Sequence, residues 1–166
     1  MKLSKSSFLT KVVDTYKRGG SLIACGNGGS ATQSNHLVEE LVGRYKKDRK
    51  PIKAHSLSSD VGIITCIAND YGFEKIFSRQ LECMANDKDI LICFSTSGKS
   101  PNIVKVMDKA ISLGIDAVLI TGDNYNDPLD KNFLFYAVDD FEGRRVQEKH
   151  LVLIHDIIEA IEENLM

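Results

Sequence analysis

The chain has 166 residues, 43% of them hydrophobic and 27% charged, with 21 Lys and Arg against 23 Asp and Glu. A chain of this length fits one domain with its own core and is cramped for two, so residues 1–166 are read as a single domain. The net charge of −2 speaks against a dedicated nucleic-acid module, which carries a basic excess on one face. No apolar run reaches the roughly 18 residues of a membrane span, and the first twenty residues lack the apolar block of a secretory signal. The expectation is a soluble, cytoplasmic protein.

Residues 6–18 place Phe8, Leu9, Val12, Val13 and Tyr16 on one helical stripe, stopped at Gly19-Gly20. SLIAC then reads as a buried strand, followed at once by the loop Gly26-Asn27-Gly28-Gly29-Ser30 and a helix over about 31–44. A polar run at 46–50 precedes a strand near Ile52–Leu57, and residues 60–85 read as mainly helical, broken at Asn69–Gly72. The second half repeats the alternation. Ile90–Phe94 is a strand, Ser95–Ser100 a polar loop, and Pro101 opens a helix that Gly114 ends. Asp116–Ile120 is a strand, 122–132 a turn-rich connection, Phe133–Val138 a strand, and Arg144–Asn164 one long helix. Alternating strands and helices predict a three-layer α/β sandwich: about five parallel strands with helices on both faces.

Cys25, Cys66, Cys83 and Cys93 form no C-x-x-C pair, so a zinc-finger reading fails on spacing. Cys25 and Cys93 sit in the apolar runs SLIAC and ILICF, where free cysteines act as small buried hydrophobes, reduced in a cytoplasmic setting.

Open parallel sheets bind ligands outside the carboxyl ends of their strands. Two such ends carry unusual loops. Cys25-Gly-Asn-Gly-Gly-Ser30 can bring backbone N–H groups to an anion at a helix start, or it is simply a tight turn. Ser95-Thr96-Ser97-Gly98-Lys99-Ser100 offers four hydroxyls at a second helix start, a cradle for a phosphate monoester. Its blander reading is a serine-rich turn with Ser100 as N-cap. On the helix after the first loop, His36 and Glu40 are four residues apart and meet on one face. On the last helix, Gln147 and His155 are eight apart, rotated by only about 80°. These four suit acid–base chemistry or a divalent-metal site; a capping histidine and solvated polar side chains are the alternative. His55 and His150 belong to no such pattern and read as structural.

The segments GNGGSATQSNHLVEELVGRY, ANDYGFEKIFSRQ, ICFSTSGKSPN and RVQEKHLVLIH together resemble the bacterial phosphoheptose isomerases of the sugar-isomerase (SIS) fold, with its flavodoxin-like topology. The resemblance runs in the right order over nearly the whole chain. It implies conversion of sedoheptulose 7-phosphate to D-glycero-D-manno-heptose 7-phosphate through an enediol, for lipopolysaccharide, capsule or related glycans. It further implies that Ser95, Thr96, Ser97 and Ser100 hold the phosphate, and that Asn27, Gly28, Ser30 and Asp70 face the sugar. Glu40 would be the base and His155 its acid–base partner. A zinc ion, one per subunit, would be held by His36, Glu40, Gln147 and His155, with Gln147 also near substrate. The implied assembly is a homotetramer whose sites lie at subunit interfaces, so that Arg44 and Asp70 serve a neighbouring chain's site.

Several positions depart from the family pattern. The first strand begins by residue 21, which leaves less helix for packing between subunits. Lys99 stands where asparagine is usual, Arg144 where an acid is frequent, and GDNYNDPLDK lacks a Gly-Gly turn; these imply an altered sugar preference. Two other classes compete: a non-catalytic relative that binds the replication initiator, and a sugar-phosphate-binding regulator. The first kind lacks the glutamate and final histidine, both present here as Glu40 and His155. The second would carry a DNA-binding segment, and none is attached.

Overall fold

Uninterrupted apolar runs make strands buried on both faces, and these form in the expected order in a computed structural model that describes residues 1–125 and 133–165. The elements are α1 (Lys5–Lys17), β1 (Leu22–Gly26), α2 (Gly29–Val42), β2 (Ala54–Ser56), α3 (Val61–Tyr71), a 3-10 turn (Phe73–Lys75) and α4 (Ser78–Met84). They continue as β3 (Ile90–Phe94), α5 (Pro101–Ser112), β4 (Asp116–Gly122), β5 (Leu134–Val138) and α6 (Gly143–Leu165). Most of GDNYNDPLDK, and with it the missing Gly-Gly turn, lies outside the described residues.

All five strands are parallel, in the order β2-β1-β3-β4-β5. The period of two along each strand divides the core. Leu22 and Ala24 of β1 join Ile90, Ile92, Val118 and Ile120 beneath α1, α2 and α6. Ile23 and Cys25 join Leu91, Cys93 and Leu119 beneath α3, α4 and α5. This is the three-layer sandwich the sequence predicts. The strand order reverses direction between β1 and β3, so the two unusual loops leave from neighbouring strands at the topological switch point.

Helix starts are fixed locally. Ser4 Oγ accepts from the Ser7 amide at 3.1 Å and Asp60 from the Ile63 amide at 2.8 Å, satisfying amides that have no helical partner. One helix departs from expectation. The α3 sequence VGIITCIANDY is strongly apolar, yet Ile67 is its one buried residue, and Val61 is 72% exposed.

Cys25 and Cys93 are register partners on β1 and β3, both buried, with their sulfurs 3.4 Å apart. Burial, together with the neighbouring Cys25 sulfur, pushes the Cys93 thiol well up. His150 is also buried, its Nε2 3.5 Å from the Thr121 carbonyl and its ring against Phe94. Burial lowers its pKa from 6.5 to about 4, against a small opposing pull from the Thr121 carbonyl. The folded state therefore holds the ring neutral while the unfolded chain protonates below about pH 6.5. Stability is full above that pH and falls as the pH drops toward 4, by about 3 kcal/mol in total from this residue. In His150→Met, the stability lost between pH 7 and pH 5, read from urea unfolding, should be smaller by about 2 kcal/mol. An unchanged pH dependence would remove His150 as its cause.

Candidate active site

The first loop leaves β1 at Gly26, and Gly28 takes the N-cap position of α2 at φ +55°. At Gly29 the α-carbon lies against the end of the Gln147 side chain, and a Cβ there would stand 2.7 Å from Gln147 Nε2 unless that side chain moved. The end of α6 bearing Gln147 thus packs directly on the glycine loop, and Gln33 Nε2 donates to the Gln147 carbonyl at 2.5 Å. Ser30 is buried at the base of the turn.

The second loop leaves β3 and is shaped by its own hydroxyls. Ser95 Oγ accepts from the Gly98 amide at 3.0 Å, and Ser97 Oγ from the Lys99 amide at 3.3 Å. Gly98 sits at φ +65° with its α-carbon against the Tyr125 ring, where a Cβ would come within 2.4 Å. Ser100 occupies the N-cap position of α5, with Pro101 in the first turn, but its hydroxyl makes no capping bond. The capping role the sequence offered for Ser100 is not taken up by its side chain. Its carbonyl accepts from Ile103 and Val104, while Asn102 Oδ1 accepts from the Ile103 amide.

The two loops are tied together by one amide pair. Asn27 Nδ2 donates to Asn102 Oδ1 at 2.9 Å, and Asn102 Nδ2 returns a bond to Asn27 Oδ1 at 2.7 Å. Asn27, Ser100 and Asn102 line a cleft of about 500 Å³ with Phe73, Glu74 and Pro101.

On the far side of the glycine loop, α2 and α6 run side by side. His36 Nε2 lies 3.4 Å from Glu40 Oε1. The His155 ring meets His36 edge-on at 5.6 Å between centroids and stacks on Tyr45 at 5.3 Å. Tyr45 in turn donates to Glu159 at 3.4 Å, and Lys46 pairs with the same carboxylate. That Lys46 hydrogen bond holds the Glu159 carboxyl below its ordinary range. A cleft of about 460 Å³ between the two helices is lined by Gly29, Thr32, Gln33, His36, Arg144 and Gln147, among others. Arg144 is turned largely outward, paired with Glu142 at 2.6 Å. A larger cleft of about 650 Å³, around Lys50–Lys53, opens where β1 and β2 begin and contains none of the expected site residues.

The structure therefore brings together His36, Glu40 and His155, and separately Asn27 with the serine loop. Glu40 lies about three helical turns, roughly 16 Å along α2, from the glycine loop. Arg44, beyond the end of α2, and Asp70, on α3, are exposed. Asp70 contacts Asn69 and Cys66 of its own helix. The donor set His36, Glu40, Gln147 and His155 has suitable chemistry for zinc. Among the described residues, however, no three of His, Cys, Asp and Glu stand at the spacing of a shared metal. Sequence reasoning missed Tyr45, Gln33 and Asn102. Asn102 carried a signal, an amide in the first turn of the helix after the serine loop; Tyr45 carried none beyond following Arg44.

The family model "SIS domain" matches residues 7–122. The chain is 41% identical to the phosphoheptose isomerase of Helicobacter pylori (strain P12) over 92% of its own length and 80% of the relative's. It is 42% identical to phosphoheptose isomerase 1 of Campylobacter jejuni, covering 91% of this chain and 81% of the relative. A solved structure of a phosphoheptose isomerase from Francisella tularensis superposes with a TM-score of 0.86 at 28% identity, covering 96% of this chain and 85% of that one. With the glycine loop, the serine loop and the His36–Glu40–His155 cluster in place, the chain belongs to the phosphoheptose isomerase family of SIS-domain proteins.

Proposed function

We propose that the chain is an aldose–ketose isomerase acting on sedoheptulose 7-phosphate and D-glycero-D-manno-heptose 7-phosphate, in heptose biosynthesis. The observation that carries the reading is the carboxylate–imidazole pair His36–Glu40, with His155 against it on the neighbouring helix, in a member of this family. The replication-initiator-binding alternative is disfavoured, since the glutamate and final histidine that such relatives lack are both present as Glu40 and His155, beside His36.

Glu40 takes a proton from C1 of the ketose while His155 protonates the C2 carbonyl oxygen, giving a cis-enediol. Loss of the O1 proton and delivery of a proton to C2 then give the aldose, with no oxidant or reductant consumed. Ser95, Thr96, Ser97 and Ser100 hold the phosphate, with the start of α5 offsetting its charge. Asn27, Gly28, Ser30, Asp70 and Gln147 face the sugar. Were zinc bound, His36, Glu40, Gln147 and His155 would be its ligands, and it would supply Lewis-acid polarisation of the carbonyl.

The proposed assembly is a homotetramer. Its support is the roughly 16 Å along α2 between Glu40 and the glycine loop, and the exposed Val61, Ile63, Tyr71 and Phe73 on and after α3. A second copy laid on that face covers apolar surface and brings Asp70 to a neighbour's site, while the exposed Arg44, following α2 in the opposite layer, is proposed to serve a neighbour's site across a second contact. No helix among the described residues is long and apolar enough to cross a membrane, and the four cysteines are free; both support a cytoplasmic setting. Incubating the purified protein with sedoheptulose 7-phosphate should yield the aldose 7-phosphate by NMR. Absence of aldose at high enzyme concentration would overturn the proposal.

Ser97→Ala and Ser100→Ala should weaken sugar-phosphate binding. Each removes a hydrogen bond to a charged acceptor, worth about 1.5–3 kcal/mol, so KM rises by roughly 10- to 100-fold with a smaller change in kcat. A fall in kcat at unchanged KM would mean the loop is no phosphate cradle.

A further inference from the structure

We propose that the buried Arg49–Glu162 ion pair is a positioning element for the reaction, holding Glu40 on α2 in place relative to His155 on α6. The inference rests on the reading of Glu40 as the base.

A helix ends with four carbonyls that lack helical partners, and its C-terminal dipole attracts a cation. At the end of α2 that cation is Arg49. Its Nη2 donates to the carbonyl of Glu40 itself at 2.6 Å, and its Nη1 to the Leu41 carbonyl at 2.8 Å and the Gly43 carbonyl at 3.4 Å. Its Nε donates to Glu162 Oε1 at 2.9 Å. Glu162 lies on α6, two turns beyond His155. One planar guanidinium thus bridges the backbone of the proposed base and the helix that bears its partner.

The pair is closed to water: the two side chains are 3% and 4% exposed. A second pair on the same two stretches of chain, Lys46–Glu159, is 61% and 39% exposed and so is screened by solvent. A buried ion pair adds little stability over an apolar pair of similar volume. What it does fix is geometry, because five donors in a rigid fork accept few arrangements. Proton transfer depends on that geometry, and a shift of about 1 Å can cost on the order of 100-fold in rate.

The decisive variant is Arg49→Met/Glu162→Leu, which removes both charges together and so leaves no buried unpaired ion. It should still fold cooperatively, with a thermal midpoint lowered by the loss of the bonds to the Glu40, Leu41 and Gly43 carbonyls. Its kcat should fall by roughly 10- to 100-fold, with KM for sedoheptulose 7-phosphate within about threefold, because the serine loop belongs to β3 and α5. Arg49→Lys keeps the charge but cannot reach all the carbonyls, and its kcat should fall between the two. Lys46→Gln should leave both constants unchanged. A folded double variant with kcat within about twofold of the parent overturns the proposal. If the double variant does not fold, Arg49→Lys decides in the same way, with parental kcat overturning the proposal and reduced kcat at unchanged KM supporting it. Glu40→Gln in the same assay separates the two levels: inactive Glu40→Gln beside active Arg49 variants overturns the positioning role alone. Active Glu40→Gln removes the base on which that role rests.

Discussion

Glu40→Gln is expected to lose about 10²–10⁴-fold in kcat, the range for removal of a general base, while its affinity for sugar phosphate changes little. The substitution keeps the side chain's shape and an acceptor for His36, whose Nε2 stands 3.4 Å from Glu40 Oε1. It removes only the capacity to take a proton. Glu40 also lies about three helical turns along α2 from the glycine loop and is no part of the serine loop, so the phosphate contacts have no reason to change. A steady-state assay with a separate binding titration checks both halves. Near-parental turnover would take Glu40 out of the mechanism.

His155→Ala should be comparably damaging, about 10²-fold or more in kcat, for a different reason. The imidazole is packed between the His36 edge and the Tyr45 face, while His36, the other imidazole there, is engaged with Glu40 Oε1 at 3.4 Å, which leaves His155 as the proposed acid for the C2 oxygen. Truncation also withdraws one of the four proposed zinc donors. Metal content and turnover should therefore fall together, measured on the same preparation. If added imidazole restored turnover without restoring metal, His155 would act as an acid alone; undiminished turnover would contradict its role altogether.

Much of the fold was legible because its signals are local. Strands buried on both faces leave unbroken apolar runs, and β1 and β3 were read to within a residue for that reason. The His36–Glu40 pair was legible because four residues along a helix is a spatial contact. What the sequence could not show is contact between distant segments. Tyr45 meets His155, Arg49 meets Glu162, and Asn27 meets Asn102; none of these pairs has a spacing that periodicity can detect. The outward face of α3 was equally hidden. Its apolar residues look like core in sequence, and only the packed sheet shows that α4 and α5 fill that layer beside it while Val61 and Ile63 stay outside.

Turnover of sedoheptulose 7-phosphate in D₂O, followed by NMR, tests the enediol isomerase directly. Glu40 abstracting from C1 and a proton returning to C2 predict an aldose 7-phosphate carrying solvent deuterium at C2, with deuterium also entering C1 of the recovered ketose. Aldose formed with its C2 hydrogen drawn wholly from C1, and no deuterium from solvent, would indicate hydride transfer instead. No aldose, with no deuterium in the ketose, would contradict the isomerase itself.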